Sequence, residues 1–423
     1  MLRGRPLACG LCIAALVLPA QAEDDDALNL AQDAIPELQA ALPPAAGSPV
    51  RLTVEGAAGR WRRRESLGAL ATRRLSIDLS HSFRGDGGWR LGWSNRIDAW
   101  SPVEPGQGAA LNSLREAYAS WQDPTGASLV EFGRIKLRDS PAYGFNPTDY
   151  WRAGSLRAIT SADPFALRDA RLGTVMLRMQ RWWPGSAWTL AWAPKLADRP
   201  SPAPLSLDLG STNASHRLLA SWSPRGTERV NGQAMLFVEQ GQRPQLGANL
   251  SALFSDALVG HGEVSVGRVQ NELLKLQGLP SPEAFRGRLA SGLTWTLPQG
   301  LALTAEVAYN GAAPDRAAWE ATATPAAQVQ YLGLAGLRQD SASRRAWLLY
   351  MVQKNLVFKR LDLTGFVRRN VDDGSQLAWL ELRHHGSRLD LALQWQATRG
   401  RDRTEYGLLP VRQSIQGVGR WFY

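Results

Sequence analysis

Along much of the chain apolar and polar residues alternate one for one, in runs of roughly ten residues broken by turn signals. In the stretch from 299 to 310, Leu301, Leu303, Ala305, Val307 and Tyr309 share one face, while Thr304, Glu306 and Asn310 share the other. The same division sets Leu389, Leu391, Leu393, Trp395 and Ala397 against Asp390, Gln394, Gln396 and Thr398. Leu75, Ile77, Leu79 and Phe83 oppose Ser76, Asp78 and Ser80, and Trp89, Leu91, Trp93 and Ile97 oppose Arg90, Ser94, Arg96 and Asp98. A helix needs apolar residues three and four apart, which these runs lack. Strands with lipid on one side and a watery lumen on the other carry this pattern.

Tight turns fall at Gly85-Asp86-Gly87-Gly88, Asp123-Pro124-Thr125-Gly126, Pro184-Gly185, Pro224-Arg225-Gly226, Ser255-Asp256, Pro298-Gln299-Gly300, Lys354-Asn355 and His385-Gly386-Ser387. Longer connections lie between them, near 62–70, 101–109, 138–166, 196–212, 241–244, 272–283, 313–340, 371–375 and 400–411. Placing every tight turn on one side predicts an all-β fold: a single closed antiparallel transmembrane barrel of about 18 strands spanning 49–423. Short turns then face the periplasm with both termini, and longer loops face outward. Strands expected at 111–122, 127–137 and 167–183 break the alternation, which predicts bulges there.

The first residues form a different unit. Arg3 and Arg5 precede an apolar run from Leu7 to Leu18, then Ala20-Gln21-Ala22 and the acidic Glu23-Asp24-Asp25-Asp26. This is the layout of a cleavable signal peptide over 1–22, hence export to the outer membrane of a bacterium with two membranes. Residues 23–48, Ala- and Leu-rich with prolines at 36, 43 and 44, read as a short periplasmic tail with one helix. Cys9 and Cys12 both lie in the apolar run, so the exported chain carries no cysteine, as suits a protein that crosses the periplasm unfolded. Cleavage lowers the formal charge from +10 to +8, because residues 1–22 hold no acid. On an exported chain that balance points to anionic lipid headgroups, lipopolysaccharide included, or to anionic solutes, and not to nucleic acid.

Trp89, Trp182, Trp183, Trp188, Trp222, Trp295, Tyr309, Trp421 and Tyr423 fall at or near expected strand ends, where amphipathic rings meet lipid headgroups. The final strand ends Gly419-Arg420-Trp421-Phe422-Tyr423. It resembles the signal by which the barrel-assembly machinery recognises its clients, with Trp421 and Tyr423 on one face and tyrosine in place of the commoner terminal phenylalanine.

Polar-face positions expected to line a pore are Arg51, Arg90, Arg96, Arg286, Arg288, Arg345, Arg360, Arg368 and Arg383, opposed by Glu55, Asp78, Asp98, Glu306, Asp362, Glu381 and Asp390. Two roles stay open for them: fixed charge that favours anions, or cross-strand pairs that hold a wide barrel rigid. Arg60, Arg62, Arg63, Arg64, Arg73 and Arg74 cluster at the outer end of the first hairpin, where they serve either as a grip on lipid phosphates or as a solvated rim.

After Phe132-Gly133-Arg134-Ile135-Lys136-Leu137 comes Tyr143-Gly144-Phe145-Asn146-Pro147-Thr148-Asp149-Tyr150-Trp151-Arg152. A Gly-Arg strand leading into an Asn-Pro-x-Asp loop, with Arg115-Glu116-Ala117-Tyr118 ahead of it, resembles porin-like and exopolysaccharide-export-like outer-membrane barrels. The resemblance covers residues 115–152 and implies a barrel that passes solute. Asn146, Pro147, Thr148, Asp149, Tyr150 and Trp151 are then either a constriction folded into the lumen or a cap over it.

No nucleophile-elbow, zinc-protease, phosphate-loop or dinucleotide motif occurs, and the adjacent His384 and His385 point to opposite faces of a strand. The expectation is a channel, without catalytic residues, metal or cofactor, for small polar solutes, anions among them, or a polysaccharide. A non-conducting barrel for surface-polysaccharide binding or envelope assembly, and an outer-membrane hydrolase, are the alternatives.

Overall fold

The computed structural model describes residues 48–64, 68–102, 108–137, 140–201, 203–224, 226–227 and 229–423. The expected signal peptide and nearly all of the tail lie outside these residues. Eighteen strands follow one another: β1 (Ser48–Arg63), β2 (Ala69–Arg84), β3 (Trp89–Ser101), β4 (Ala110–Gln122), β5 (Ser128–Ile135), β6 (Thr174–Trp183), β7 (Ser186–Ala193), β8 (Arg217–Pro224) and β9 (Val230–Glu239) in one half. The other half holds β10 (Gln245–Ser255), β11 (Leu258–Val269), β12 (Ala284–Thr296), β13 (Leu301–Asn310), β14 (Arg345–Gln353), β15 (Leu361–Asn370), β16 (Gln376–His384), β17 (Leu389–Arg399) and β18 (Val411–Phe422). Every strand pairs antiparallel with its sequence neighbours, and β1 pairs with β18 from Thr53↔Phe422 onward, so the sheet has no free edge. Closure matters because lipid offers no hydrogen bonds to an unpaired strand.

The alternation sorts the side chains as the period-2 pattern requires. On β2, Leu75 and Ile77 are 52% and 44% exposed, while Ser76 between them is buried. In water such exposed apolar bands would be a liability; against acyl chains they are the favourable face.

Of the expected bulges, one falls on β4, while the β4–β5 and β5–β6 pairings run without a register shift. Between β3 and β4 the pairing steps from Ser94↔Glu116 to Asn95↔Leu114, which leaves Arg115 as the extra residue of a bulge. Gly133 sits at φ 127°, and a Cβ there would meet the Ala117 carbonyl at 2.3 Å, so only glycine fits this crossing.

Among the described residues the outer connections hold five helices: α1 (Pro164–Ala170), α2 (Leu209–Thr212), α3 (Glu272–Leu276), α4 (Arg316–Glu320) and α5 (Pro325–Arg338). The helix α1 corrects the expected strand at 167–183, of which only Thr174–Trp183 is strand. Asp163 starts α1 by accepting from the Phe165 and Ala166 amides, at 3.4 and 3.1 Å, and Pro164 fits the first turn.

Candidate functional site

The segment 140–173, between β5 and β6, runs inside the barrel. Two lumen-facing carboxylates hold it there. Glu306 on β13 accepts the consecutive amides of Tyr143, Gly144 and Phe145 at 2.7, 3.0 and 3.3 Å, and His261 Nε2 lies 3.2 Å away. Glu263 on β11 accepts the Ala142 amide at 2.7 Å, the Thr148 amide at 3.2 Å and hydroxyl at 2.8 Å, and the Ser140 hydroxyl. The successive N–H groups of 143–145 make a concave anion seat for Glu306, and Glu263 bridges the two ends of the same turn by charge-assisted bonds. Glycine at 144 eases the close approach, since a Cβ would crowd the Leu348 side chain at 3.0 Å and the Glu306 carboxylate at 3.2 Å.

Beyond this latch the loop turns aromatic residues into the wall. Tyr150 stacks on Phe237 with centroids 4.5 Å apart, and its hydroxyl meets Ser265 at 2.9 Å. Trp151 meets Phe237 edge-on at 6.0 Å, with the Arg217 guanidinium 5.0 Å from its ring. With Met176, Ala191, Ala193, Leu219 and Met235 they form a buried cluster on the lumen face of β5–β9. Tyr143 and Phe165 pack on a second cluster of Leu348, Tyr350, Phe366 and Trp379.

The outer loop between β13 and β14 clamps the segment from above. Arg152 pairs with Asp340 and donates to the Gln339 carbonyl at 3.2 Å, while the Gln339 amide group returns a bond to the Arg152 carbonyl at 2.6 Å. Arg171 pairs with Asp149 and donates to the Gln339 side chain at 2.7 Å. Burial alone would raise the Asp340 carboxyl, but Arg288 and Arg152 outweigh it and hold the group below its ordinary value.

Between the loop and strands β14–β18 a cavity of about 640 Å³ remains. Trp61, Trp379, Gln394, Gln396, Ser414 and Gln416 border it on the wall side. Arg168, Arg171 and Arg368 also border it, and Asp340 is the one carboxylate on its lining. Arg168 donates to the Ser140 and Ala142 carbonyls, and Arg368 to the Gly144 carbonyl at 3.4 Å and the Ser341 hydroxyl at 3.2 Å. Neither guanidinium forms a contact ion pair among the described residues, though Glu306 acts on both through space, so the lining itself presents three arginines to one carboxylate. Burial and the neighbouring Arg171 push the Arg168 pKa down, yet a guanidinium stays charged at neutral pH.

The wall on the far side of the β1–β18 seam is a lattice of ion pairs. Glu55 accepts from Arg74 at 2.6 Å, Arg96 at 3.0 Å and Arg420 at 2.6 Å. Asp98 takes Arg96 at 3.0 Å and the Ser76 hydroxyl at 2.6 Å, and Asp78 takes Arg115. The lattice therefore crosses β18, β1, β2, β3 and β4, tying the first strand to the last.

The other residues expected to line the lumen divide. Arg90 donates to the Tyr118 hydroxyl at 2.8 Å, Arg286 to the Gly311 carbonyl at 2.9 Å and Arg288 to Gln245 at 3.1 Å. Arg383 makes two 2.8 Å bonds to Glu381, and Asp362 lies 3.3 Å from His385. Two positions differ from expectation. Arg345 shares the outward side of β14 with Leu349, while Ala346, Leu348 and Tyr350 face in. Polarity misassigned it because the loop covers this wall and lets its lumen face be apolar. Arg360 lies in the turn before β15, at φ 70°, and not on a strand. At the C-terminus Trp421 is 43% exposed, and the Tyr423 amide donates to the Leu52 carbonyl at 3.0 Å.

Sequence reasoning missed Glu263, Arg168, Arg171 and Asp340. Glu263 was legible in principle as a single acid between the outward Val264 and the small residues of β11. Arg168 lies in the seven-residue α1 and the other two just beyond helix ends, too little periodic chain to tell which way a side chain points.

The fold and its inward loop define a porin-like barrel of 18 antiparallel strands. No protein-family profile and no curated protein matches the chain by sequence. Solved structures do match by fold. OccK8 (OprE) of Pseudomonas aeruginosa has a TM-score of 0.53 at 9% identity, over 88% of this chain and 97% of that one. The outer membrane protein OpdK of the same organism gives 0.51 at 11%, over 89% and 99%. OccAB1 of Acinetobacter baumannii gives 0.53 at 9%, over 88% and 96%. At such identities the likeness is one of fold.

Proposed function

We propose that the chain is a channel of a bacterial outer membrane, through which small polar solutes, anions preferred, diffuse past the inward loop. The observation that carries this reading is the arginine-bordered cavity between the loop and β14–β18. Its volume suits a small molecule better than a polysaccharide chain. Fixed positive charge at a constriction raises the local concentration of anions and opposes cations. Lipids of the outer membrane and, during biogenesis, the assembly machinery acting on Trp421 and Tyr423 are the partners this reading implies.

The test is the reversal potential of the refolded protein in a planar bilayer under a salt gradient. Steady openings with an anion-leaning potential are expected, with Arg168→Gln plus Arg368→Gln moving it toward neutrality. A folded, heat-modifiable barrel that stays silent would overturn the channel reading in favour of a binding or enzymatic barrel.

A further inference from the structure

Strand alternation splits the arginine cluster of the first hairpin into two sets. Arg74 turns inward to Glu55, and Arg64 donates to the Tyr406 and Leu409 carbonyls at 2.8 and 3.2 Å. Arg60, Arg62 and Arg73 are exposed on the outward side: Arg60 lies opposite Ala71, Arg62 opposite Ala69 and Arg73 opposite Ala58. The outward set continues across the seam. Arg399 and Arg369, both exposed, flank Gln376 at the outer ends of β17 and β15. No hydrogen bond or ion pair joins any of these five to another side chain among the described residues.

We infer that these arginines form a docking surface for the phosphate groups of an outer-leaflet glycolipid. Charge complementarity carries the choice of occupant, together with what lies below the charges. On the same outward faces, toward the periplasm, Leu75, Ile77, Leu393 and Ile415 are exposed, so an occupant presents anions directly above acyl chains. A free anion has no use for that apolar band. Exposed rings mark both ends of the barrel, Trp192, Phe285 and Tyr309 at outer strand ends and Trp89, Trp183, Trp188, Trp222, Trp295 and Trp421 at periplasmic ones, as befits two headgroup levels. Arginine suits the outer site because its fork binds phosphate through two parallel bonds while its stem lies along apolar surface.

The inference rests on the barrel being embedded in an outer membrane. The probe is a purified bisphosphorylated glycolipid, titrated onto the detergent-refolded full chain and followed by native mass spectrometry, with the dephosphorylated glycolipid and inorganic phosphate as parallel arms. Binding of the phosphorylated lipid is expected. Arg60→Gln, Arg62→Gln and Arg73→Gln together should weaken it roughly tenfold or more. Arg181→Gln, an exposed arginine at the periplasmic end, should leave it unchanged. Equal binding of the dephosphorylated lipid, full competition by millimolar phosphate, or an unaffected triple variant would overturn the docking surface. A chain that neither inserts into vesicles nor shows heat-modifiable mobility would instead strike the membrane reading beneath it.

Discussion

Two parts of the barrel wall solve the problem of a lumen in opposite ways. On β5–β9 the inner face carries Ile135, Met176, Ala191, Leu219, Met235 and Phe237, and the inward loop covers it as a soluble core would be covered. From β16 through the seam to β4 the inner face carries Glu381, Arg383, Glu55, Arg74, Arg96, Asp98 and Arg115, paired along β16 and β3 and across the strands from β1 to β4. Apolar lumen walls need a lid, and charged ones need partners and water. In the proposed channel the loop would fix where a solute passes: it covers one side of the barrel and leaves the cavity against the other.

The largest expected effect comes from removing the latch. Glu306→Ala would leave three amides inside the barrel without their acceptor, one buried and two partly buried, a cost of about 3–5 kcal/mol. Single-channel conductance should rise as the loop leaves the lumen. An unchanged conductance would show that the aromatic packing alone holds the loop. Next, the two walls should respond differently to truncation. Leu219→Ala on the sealed side, at 2% exposure, should cost about 2–4 kcal/mol. Gln396→Ala on the open side should stay within about 0.5 kcal/mol. Urea titration of the protein in lipid vesicles measures both, and equal losses would erase the distinction between walls.

The smallest effect concerns acid. The Asp340 carboxyl is held below its ordinary value, so its contribution is complete above the usual carboxylate range and is lost as pH falls through its depressed pKa. Thermal stability should hold down to that range and then decline, and Asp340→Asn should flatten the acid limb.

This contrast also explains what was legible in the sequence. Strand number and turn positions follow from a period-2 signal that each strand carries locally. The rule of polar inside and apolar outside is likewise local, and it holds on β1–β3 and β17, whose lumen face meets water. It fails on β14, where Leu348 and Tyr350 face in under the loop and Arg345 faces out. The latch was the least legible part, because Glu263, Glu306 and the amides of 142–148 meet across more than a hundred residues. Nothing local marks a carboxylate as a loop anchor rather than a pore charge. Likewise α1 hid within an irregular stretch whose start is set by the Asp163 cap, not by any long apolar period.

The most direct test of the solute path rests on a barrel free of cysteine, since Cys9 and Cys12 both precede it. A thiol can therefore be placed at one wall alone in the protein refolded from residue 23 onward. Ser414→Cys lies on the cavity side, and Ser221→Cys is buried on the sealed side. In a planar bilayer a bulky, membrane-impermeant thiol reagent should lower the current through the first and leave the second unchanged. Block at Ser221→Cys with no effect at Ser414→Cys would contradict the account, placing the path on the side the loop was held to seal.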